Sequence, residues 1–265
     1  MSCVTVKEDN GVVEVILNRP EKHNSLSMEM FEELVSVGDT LMRDNTVKVV
    51  VLHGEGPSFC AGLDLSLMKE VADPSGGVVE KLLEVDEDGL SLAQRSAYIW
   101  KLIPAPVICS IHGVAFGGGC QIALGADIRI ISPESKMGIL ESKYGLVPDL
   151  AITQTLPHLV PQDIALELTM TGRAFSGVDA VDYGLATKLA KEPLVEALAL
   201  AREMVGRSPS SIKSIKKLYS TVWQEGSKSG LSMERELQRE LIGSPNQVEA
   251  VAAAMEKRMP KFKDA

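Results

Sequence analysis

Residues 104–125, PAPVICSIHGVAFGGGCQIALG, decide the fold class of this chain. The β-branched run that follows the two prolines predicts a buried strand. Glycines 117–119 then break the chain, and the apolar segment CQIALGADI predicts the start of a helix. A strand that leads through a glycine turn into a helix is typical of α/β proteins.

The glycine turn at residues 117–119 also has a chemical property. Backbone N–H groups in the first turn of a helix have no partner within the helix, and the helix dipole is positive there. The turn is therefore suited to stabilise an oxyanion, although close packing of a helix on a strand explains most glycine triplets. Nucleotide binding is disfavoured, because the chain has no GxxxxGKS or GxxxxGKT motif and no GxGxxG with an acidic residue about 20 positions later.

Further strands and helices are predicted on both sides of this segment. The β-branched runs that predict strands are residues 12–17 (VVEVIL), 47–52 (VKVVVL) and 128–132 (IRIIS). Ser27 can cap a helix in which Met30, Leu34, Val37 and Leu41 recur at helical spacing. This alternation of strands and helices predicts an α/β fold with stacked sheets and helices outside them.

Two other regions differ in composition from this core. Residues 69–94 contain a Pro-Ser-Gly-Gly breaker and an acidic middle, which indicates a mobile insert that could cover a ligand. After about Pro193 the pattern becomes wholly helical. We therefore expect a core at residues 1–192 and a C-terminal helical region, suited to oligomerisation, at residues 193–265.

Charge and composition limit the classes of function. The chain has 265 residues, 45% of them hydrophobic, and a formal net charge of −9, which disfavours nucleic-acid binding. Its longest apolar stretch, around LIPAPVICSI, is about half of the ~20 residues that a membrane span requires. No secretory signal opens the sequence, and the four cysteines and four histidines show no metal-ligand spacing. We expect a cytoplasmic protein with free thiols and without a metal or membrane contact.

Five segments in order resemble the enoyl-CoA hydratase/isomerase (crotonase) family. They are NRPEKHNSL (18–26), FCAGLDL (59–65), PAPVICSIHGVAFGGGC (104–120), SKMGILESKYGL (135–146) and LTMTGRAFSGVDAVDYGLATKL (168–189), and the closing FKDA is also similar. The resemblance implies a crotonase-like spiral of repeated ββα units with a C-terminal helical region. It also implies an acyl-CoA thioester as substrate, no cofactor beyond the coenzyme A of that substrate, and a homotrimer or homohexamer.

The resemblance assigns two backbone groups and several substrate contacts. Leu63 and Gly118 match the positions whose N–H groups form the oxyanion hole for the thioester carbonyl. Such donors stabilise the charge that develops when a proton is removed beside a thioester. The positions that match coenzyme contacts are Lys22, Asn24, Ala61 and Asp64. The alternative for each of these side chains is a structural role in a turn or at a strand edge.

The C-terminal segment gives a further candidate for coenzyme binding. Lys261 and Phe262 combine a cation with an aromatic ring, which suits an adenine and its phosphates in the same or a neighbouring subunit. The alternative interpretation is a frayed tail.

The carboxylates depart from the pattern of the hydratases. That pattern has one Glu two residues after the glycine triplet and another twenty residues later, whereas this chain has Gln121 and then Glu141. An amide can orient a water but cannot exchange a proton as a carboxylate does. Asp149 lies eight residues after Glu141, as an aspartate does in the dienoyl-CoA isomerases of this family, which nevertheless keep an acid at the position of Gln121. Asp149 could also be a loop residue or a helix cap after Pro148.

We therefore predict that Glu141 is the base and Asp149 the second acid in the double-bond isomerisation of an enoyl-CoA or dienoyl-CoA. Hydration by Glu141 alone, with a water held by Gln121, is the alternative, and a non-catalytic scaffold that binds acyl-CoA or a macromolecule is the alternative of another class. A hydrolase with Ser58 and either His53 or His112 is disfavoured, because no GxSxG elbow surrounds the serine.

Overall fold

The computed structural model describes residues 2–71, 77–225, 238, 240 and 244–263. Its strands are β1 (Val4–Asp9), β2 (Val12–Leu17), β3 (Val49–Gly54), β4 (Val107–Ile111), β5 (Val114–Phe116), β6 (Ile128–Ile131), β7 (Lys136–Gly138), β8 (Phe175–Ser176) and β9 (Lys188–Leu189). They form a six-stranded sheet in the order β1-β2-β3-β4-β6-β9 and a three-stranded sheet in the order β5-β7-β8.

Helices surround and connect these strands. They are α1 (Met28–Arg43), α2 (Leu65–Val71), α3 (Val78–Leu83), α4 (Leu92–Leu102), α5 (Gly118–Gly125), α6 (Ile152–Thr155), α7 (Gln162–Thr171), α8 (Gly177–Asp182), α9 (Pro193–Val205), α10 (Pro209–Glu225) and α11 (Pro245–Glu256). Two turns of 3-10 helix occur at Pro20–Lys22 and Glu141–Tyr144. The mixture of helices with a largely parallel sheet confirms the predicted α/β class.

The direction of the strands sets the position of the functional loops. β1 pairs antiparallel with β2, whereas β2, β3, β4, β6 and β9 pair parallel with their neighbours. Parallel strands share one carboxyl edge, and in open α/β sheets ligands bind beyond that edge. The segments that follow β2, β3 and β4 therefore emerge together at this edge.

The helix α1 forms where its apolar spacing predicts it. Ser27 Oγ accepts a hydrogen bond from Met30 N–H at 3.3 Å and caps the helix. Met30, Leu34 and Leu41 are buried in the main core, and Val37 packs against that core. The predicted cap and buried face of this helix are thus confirmed.

Residues 104–125 divide into more elements than their sequence pattern predicts. The β-branched run becomes β4 in the large sheet and β5 in the small one. Gly113, with φ +59°, makes the turn between them, and a Cβ there would lie 2.1 Å from the Pro57 carbonyl oxygen. The helix α5 begins at Gly118, inside the glycine triplet rather than after it.

Two hydrophobic clusters fix the layers. The larger one fills the space between the sheet and α1, α4 and α5, and its largest wholly buried side chains are Trp100, Phe31 and Phe59. The smaller one lies between Val49, Ile108 and their neighbours on the sheet and Ala197 and Ala201 of α9. The helix α9 therefore covers one face of the large sheet.

The insert and the C-terminal region are both largely helical where the structure describes them. The described part of the insert at residues 69–94 contains the end of α2, all of α3 and the start of α4, and residues 72–76 lie outside the description. The described residues after Pro193 are largely helical, as the pattern predicts. Among the residues that the structure describes, no helix is both long and apolar enough to cross a membrane.

Candidate active site

A cavity of about 610 Å³ lies beyond the carboxyl edge of the large sheet. Segments that follow β2, β3, β4 and β7 line it, together with α1, α2, α3 and α4. The lining residues are Glu21, Lys22, His23, Ser25, Leu26, Phe31, Ala61, Gly62, Leu63, Asp64, Leu65, Met68, Val71, Val79, Leu82, Leu83, Ala93, Phe116, Gly117, Gly118, Leu140, Glu141, Tyr144, Leu146, Val147, Asp149 and Leu150. Glu141, Asp149, Leu63 and Gly118, which the sequence places at the reaction centre, all meet in this cavity.

Glu141 opens the 3-10 turn after β7 and presents its carboxyl group to the cavity. Its Oε1 accepts a hydrogen bond from Gln121 Nε2 at 2.7 Å. Its Oε2 is buried, and the described residues offer it no hydrogen-bond partner. One oxygen is therefore held by Gln121 while the other has no protein partner, and an unpartnered carboxylate oxygen can act as a general base.

Gln121 lies beneath the cavity and does not line it. The residue is wholly buried in α5, with 0% of its surface exposed. Its amide donates to Glu141, and its Oε1 accepts from the Leu150 N–H at 3.0 Å. Both ends of the side chain therefore have protein partners in different segments, and the role of Gln121 as the holder of a catalytic water stays a prediction.

Asp149 lies on the loop between the 3-10 turn at Glu141–Tyr144 and α6, and this loop borders the cavity. The residue is exposed, but the protein around its carboxyl group is dense enough that desolvation raises its pKa. Ala151, not Asp149, occupies the N-cap of α6, and no side chain caps that helix. Asp149 therefore does not cap α6 and is a loop residue, which the alternative interpretation also allowed, and its role as an acid stays a prediction.

The environment of Glu141, including the charge of Asp149, changes its acidity. Desolvation raises the pKa of Glu141 most strongly, and the charge of Asp149 raises it further. Hydrogen bonds from the Glu141 backbone and from Gln121 act in the opposite direction. A pair of this kind holds a proton to higher pH than an isolated carboxyl group does.

Two backbone N–H groups border the cavity near Glu141. Leu26 N–H donates to the Gly62 carbonyl at 2.8 Å and Asp64 N–H donates to the Leu26 carbonyl at 2.9 Å, which leaves the Leu63 N–H outside this bridge. Gly118 is the first residue of α5, so its N–H has no acceptor within the helix. These two donors can stabilise negative charge on an oxygen bound between them.

The backbone requires glycine at the first of these turns, and the second turn leaves little room for a side chain. Gly62 has φ +93°, and a Cβ there would lie 2.9 Å from the Phe116 carbonyl oxygen. A Cβ on Gly118 would lie 2.7 Å from Leu26 Cδ1. The small residues thus let the two backbone segments approach the same space.

Polar groups cluster at another part of the cavity. Lys22, Ala61 and Asp64 line it, as predicted for coenzyme contacts. The Asp64 carboxylate is already engaged, since Oδ2 accepts from Arg19 Nη2 at 3.0 Å and Oδ1 accepts from the Ser66 N–H at 3.0 Å. The backbone N–H of Ser66 is the main reason that the pKa of Asp64 is lowered. Its side chain therefore organises the turn before α2.

The side chain of Asn24 holds the loops beside the cavity together. Its side chain is wholly buried and outside the cavity lining. Its Oδ1 accepts from the Arg19 N–H at 2.8 Å, while Nδ2 donates to the carbonyls of Glu55 and Ser58. The two Nδ2 bonds fasten the loop after β2 to the loop after β3, and the Oδ1 bond closes the loop after β2 on itself. The side chain does not reach the cavity in this structure, and a coenzyme contact of Asn24 stays a prediction.

The C-terminal candidates lie away from this cavity. Lys261 N–H donates to Glu249 at 2.6 Å, and Phe262 is half-buried beside it. Asn246 of α11 exchanges hydrogen bonds with the backbone of Lys263. The segment therefore packs on α11 of its own chain, and contact of Lys261 and Phe262 with a coenzyme in a neighbouring subunit stays a prediction.

The apolar wall of the cavity was only partly predictable. Val79, Leu82 and Leu83 of α3 face the cavity from the insert at residues 69–94, whose breaker begins at Pro74 and which the sequence suggests could cover a ligand. Met68 of α2 lies just before that insert. Pro74 itself lies outside the described residues. The apolar surface continues on the opposite side of the cavity with Tyr144, Leu146, Val147 and Leu150. Helical spacing of apolar residues was the available sequence signal only for the part of the wall that the insert forms.

The structure also tests the hydrolase alternative. Ser58 pairs with His23, at 3.0 Å from Oγ to Nδ1, rather than with His53 or His112. His53 contacts Glu14, and His112 contacts the Gly56 carbonyl. Ser58 is buried and is not part of the cavity lining, so it is not placed to attack a bound substrate.

Comparisons with known proteins find relatives over nearly the whole chain. The sequence model of the family described as "Enoyl-CoA hydratase/isomerase" matches residues 7–265. A "Probable enoyl-CoA hydratase" of Bacillus subtilis (strain 168) is 34% identical and the match covers 99% of each chain. A "1,2-epoxyphenylacetyl-CoA isomerase" of Escherichia coli (strain K12) is 32% identical, with 99% of this chain and 98% of the other covered. The crystal structure of an enoyl-CoA hydratase from Bacillus anthracis superposes with a TM-score of 0.88 at 30% identity, over 99% of this chain and 100% of the other.

Proposed function

Because the chain belongs to the enoyl-CoA hydratase/isomerase family and is an acyl-CoA enzyme, we propose that it shifts a double bond within an enoyl-CoA or dienoyl-CoA thioester. The observation that carries this proposal is the pairing of Glu141 with Asp149 on one cavity, while Gln121 stands below it. A reaction that moves a proton between two carbon atoms needs a base and an acid that both reach the substrate.

The proposed reaction consists of two proton transfers. The Glu141 carboxylate removes a proton from the carbon next to the thioester, and the electron pair of that C–H bond moves onto the carbonyl oxygen. The negative charge is shared with the neighbouring double bond. A protonated Asp149 then gives a proton to the far carbon of the conjugated system, while the carbonyl and a new double bond form. One proton is taken and one is given, so substrate and product have the same atoms.

The electrostatics of the site support these roles. The enolate oxygen would lie between the N–H groups of Leu63 and Gly118, which require no reorganisation when the charge appears. Desolvation raises the pKa of Asp149, which favours the protonated form that the second step uses. Glu141 has an unpartnered Oε2 for the first step, because Gln121 engages only Oε1.

The lining of the cavity suggests which acyl group is accepted. The residues that α2, α3 and α4 contribute are all apolar: Leu65, Met68, Val71, Val79, Leu82, Leu83 and Ala93. A charged acyl group would be buried there without a cation, which is unfavourable. The proposed substrate therefore has an uncharged acyl chain, with the coenzyme near Lys22 and Ala61. The proposal requires no metal or cofactor besides that coenzyme.

The remaining predicted properties belong to this proposal. The homotrimer or homohexamer, the division at residue 192, and the cytoplasmic location stay predictions. Hydration by Glu141 alone is the alternative reaction, and the Bacillus subtilis relative named as a probable hydratase supports it. The non-catalytic scaffold is set aside, because the relatives of this family named above are enzymes.

A product assay separates the two reactions. Purified protein is given 2-enoyl, 3-enoyl and 3,5-dienoyl thioesters of equal chain length; the products are separated by chromatography, and mass spectrometry detects added water while NMR locates the double bond. The proposal predicts that the 3-enoyl or 3,5-dienoyl thioester gives a product of unchanged mass at a higher kcat/KM than any hydration. Faster addition of water to the 2-enoyl thioester would overturn the proposal in favour of hydration.

A further inference from the structure

The amide of Gln121 joins the two segments that carry the proposed acids. Nε2 contacts Glu141 Oε1 at 2.7 Å, and Oε1 contacts the N–H of Leu150 at 3.0 Å. Leu150 follows Asp149 directly, and Ala151 after it has φ +53°, a left-handed conformation that a residue with a Cβ rarely adopts. The amide therefore reaches the turn that holds Asp149 as well as the carboxyl group of Glu141.

We propose that Gln121 is a positioning residue, which keeps the Glu141 carboxylate oriented as a base and fixes the Asp149–Leu150 turn beside it. The proposal rests on the proposed role of Glu141. It assigns Gln121 no contact with substrate, because the residue is wholly buried and outside the cavity lining. This role differs from the water-holding role that its place in the sequence suggests.

An amide is the side chain that suits both partners. Its N–H donates to a carboxylate and therefore stabilises the ionised form of Glu141. Its carbonyl oxygen accepts from a backbone N–H, which a buried turn must satisfy. A carboxylate at position 121 could still accept from Leu150, but its oxygen would face Glu141 Oε1 at about the same distance without a proton between them. The pair would then have to share a proton.

Several titratable groups near Glu141 can influence its ionisation. From α5, Cys120 and Gln121 lie near it, and Asp149 approaches from the next loop. The other titratable groups of the cavity are Glu21, Lys22, His23, Asp64 and Tyr144. A change at position 121 alters the hydrogen bond to Glu141 and leaves these other groups in place.

Two substitutions separate the two contacts of the amide. Gln121→Glu removes the donor to Glu141 and keeps an acceptor for Leu150, whereas Gln121→Met removes both. Ile122→Val in the same helix is the control, since Ile122 is buried but does not line the cavity. The titration of Glu141 is followed in the free protein by infrared spectroscopy with 13C-labelled glutamate, and the band is assigned with Glu141→Gln. Hydrogen exchange of a peptide that contains Leu150 reports the second contact.

The proposal predicts a distinct result for each variant. Gln121→Glu should raise the Glu141 titration by about one pH unit or more while exchange at Leu150 stays protected. Gln121→Met should also raise the titration and should speed exchange at Leu150 about tenfold or more. The acid limb of the pH profile of kcat should move with the titration, with KM changed less than threefold as a rough bound. Ile122→Val should change neither readout.

Other outcomes would overturn the proposal. An unchanged Glu141 titration in both variants would mean that the amide does not set its ionisation. A Gln121→Glu variant that hydrates 2-enoyl thioesters faster than the unmodified protein would mean that position 121 reaches substrate. If one variant does not fold, the other still reports the titration. Failure of the unmodified protein to isomerise any thioester would contradict the proposed function, and the titration in the free protein would still decide the role of Gln121.

Discussion

Replacing Glu141 with glutamine tests the assigned base with little change in shape. The amide oxygen of the new side chain can accept from Gln121 Nε2 as Oε1 does at 2.7 Å, so its NH2 group takes the place of the unpartnered Oε2. The variant therefore keeps the hydrogen bond that orients the side chain and loses the ability to accept a proton. We expect kcat to fall by about 10²–10⁴, which corresponds to about 2.7–5.4 kcal/mol of barrier.

The same substitution has a predictable effect on stability. Desolvation raises the pKa of Glu141 in the folded state above its ordinary value of 4.5. Folding therefore disfavours the ionised carboxylate, and the unmodified protein loses stability as pH rises through that raised pKa. Glu141→Gln should thus have an equal or higher Tm at pH 8, and this advantage should disappear at pH values below 4.5.

The assay combines kinetics, binding and melting on purified protein. Isomerisation of a 3-enoyl thioester gives kcat, and calorimetry with a saturated thioester gives a Kd that should stay nearly unchanged. Glu134→Gln is the matched control, because Glu134 is exposed, bonds to Ser132 and does not line the cavity. Turnover of Glu141→Gln within tenfold of the unmodified protein, or a large fall in Tm at pH 8, would refute the reasoning.

Three further predictions follow from other contacts. Asp149→Asn should lower isomerisation by about 10²–10⁴ but retain exchange of the α-proton with solvent, measured by NMR; equal loss of both would contradict separate roles for the two acids. Gly118→Pro removes the N–H donor, whereas Gly118→Ala adds a Cβ and keeps that N–H, so kcat of the proline variant should be about 10²–10³ lower than that of the alanine variant. Circular dichroism checks that both variants fold, and equal kcat values would exclude the Gly118 N–H as a donor to the substrate. Lys216→Met should lower the free energy of unfolding by about 1–3 kcal/mol at unchanged specific activity, because Lys216 Nζ donates to the carbonyls of Trp100 and Ala105; unchanged urea unfolding would exclude this role.

The sequence predicts well the elements whose signal is local. Ser27 and the apolar spacing after it specify α1, and the β-branched runs specify β2, β3, β4 and β6. By contrast, β8 and β9 contain two residues each, which is too short for any periodicity. Their place depends on pairing with β7 and β6, and such partners are far apart in the sequence.

The candidate site shows the same division. The order of motifs predicts that Leu63, Gly118, Glu141 and Asp149 meet, and the cavity brings them together. The direction in which a side chain points is not encoded in its motif. Gln121 does not line the cavity, and its amide is satisfied by Glu141 and Leu150, which lie 20 and 29 residues away in the sequence.

Asn24 illustrates a second limit of sequence reasoning. The resemblance implies a coenzyme contact at Asn24, and its neighbours Lys22 and His23 do line the cavity. The backbone of Asn24 has φ +55°, and its side chain turns inward to the carbonyls of Glu55 and Ser58. Only the fold of the loop after β3 supplies those acceptors, so the buried role could not be inferred before the two loops were seen together.

The central claim is that Glu141 and Asp149 divide two proton transfers between them, and one labelling measurement tests it most directly. A 3-enoyl thioester is converted by the unmodified protein in deuterated water, and the position of deuterium in the product is determined by NMR. The two-acid reaction predicts a product without added water. That product carries one solvent deuterium at the carbon that formed the far end of the original double bond. A product without deuterium at that carbon would mean that one group carries the proton across, and a product with added water would mean that the enzyme is a hydratase.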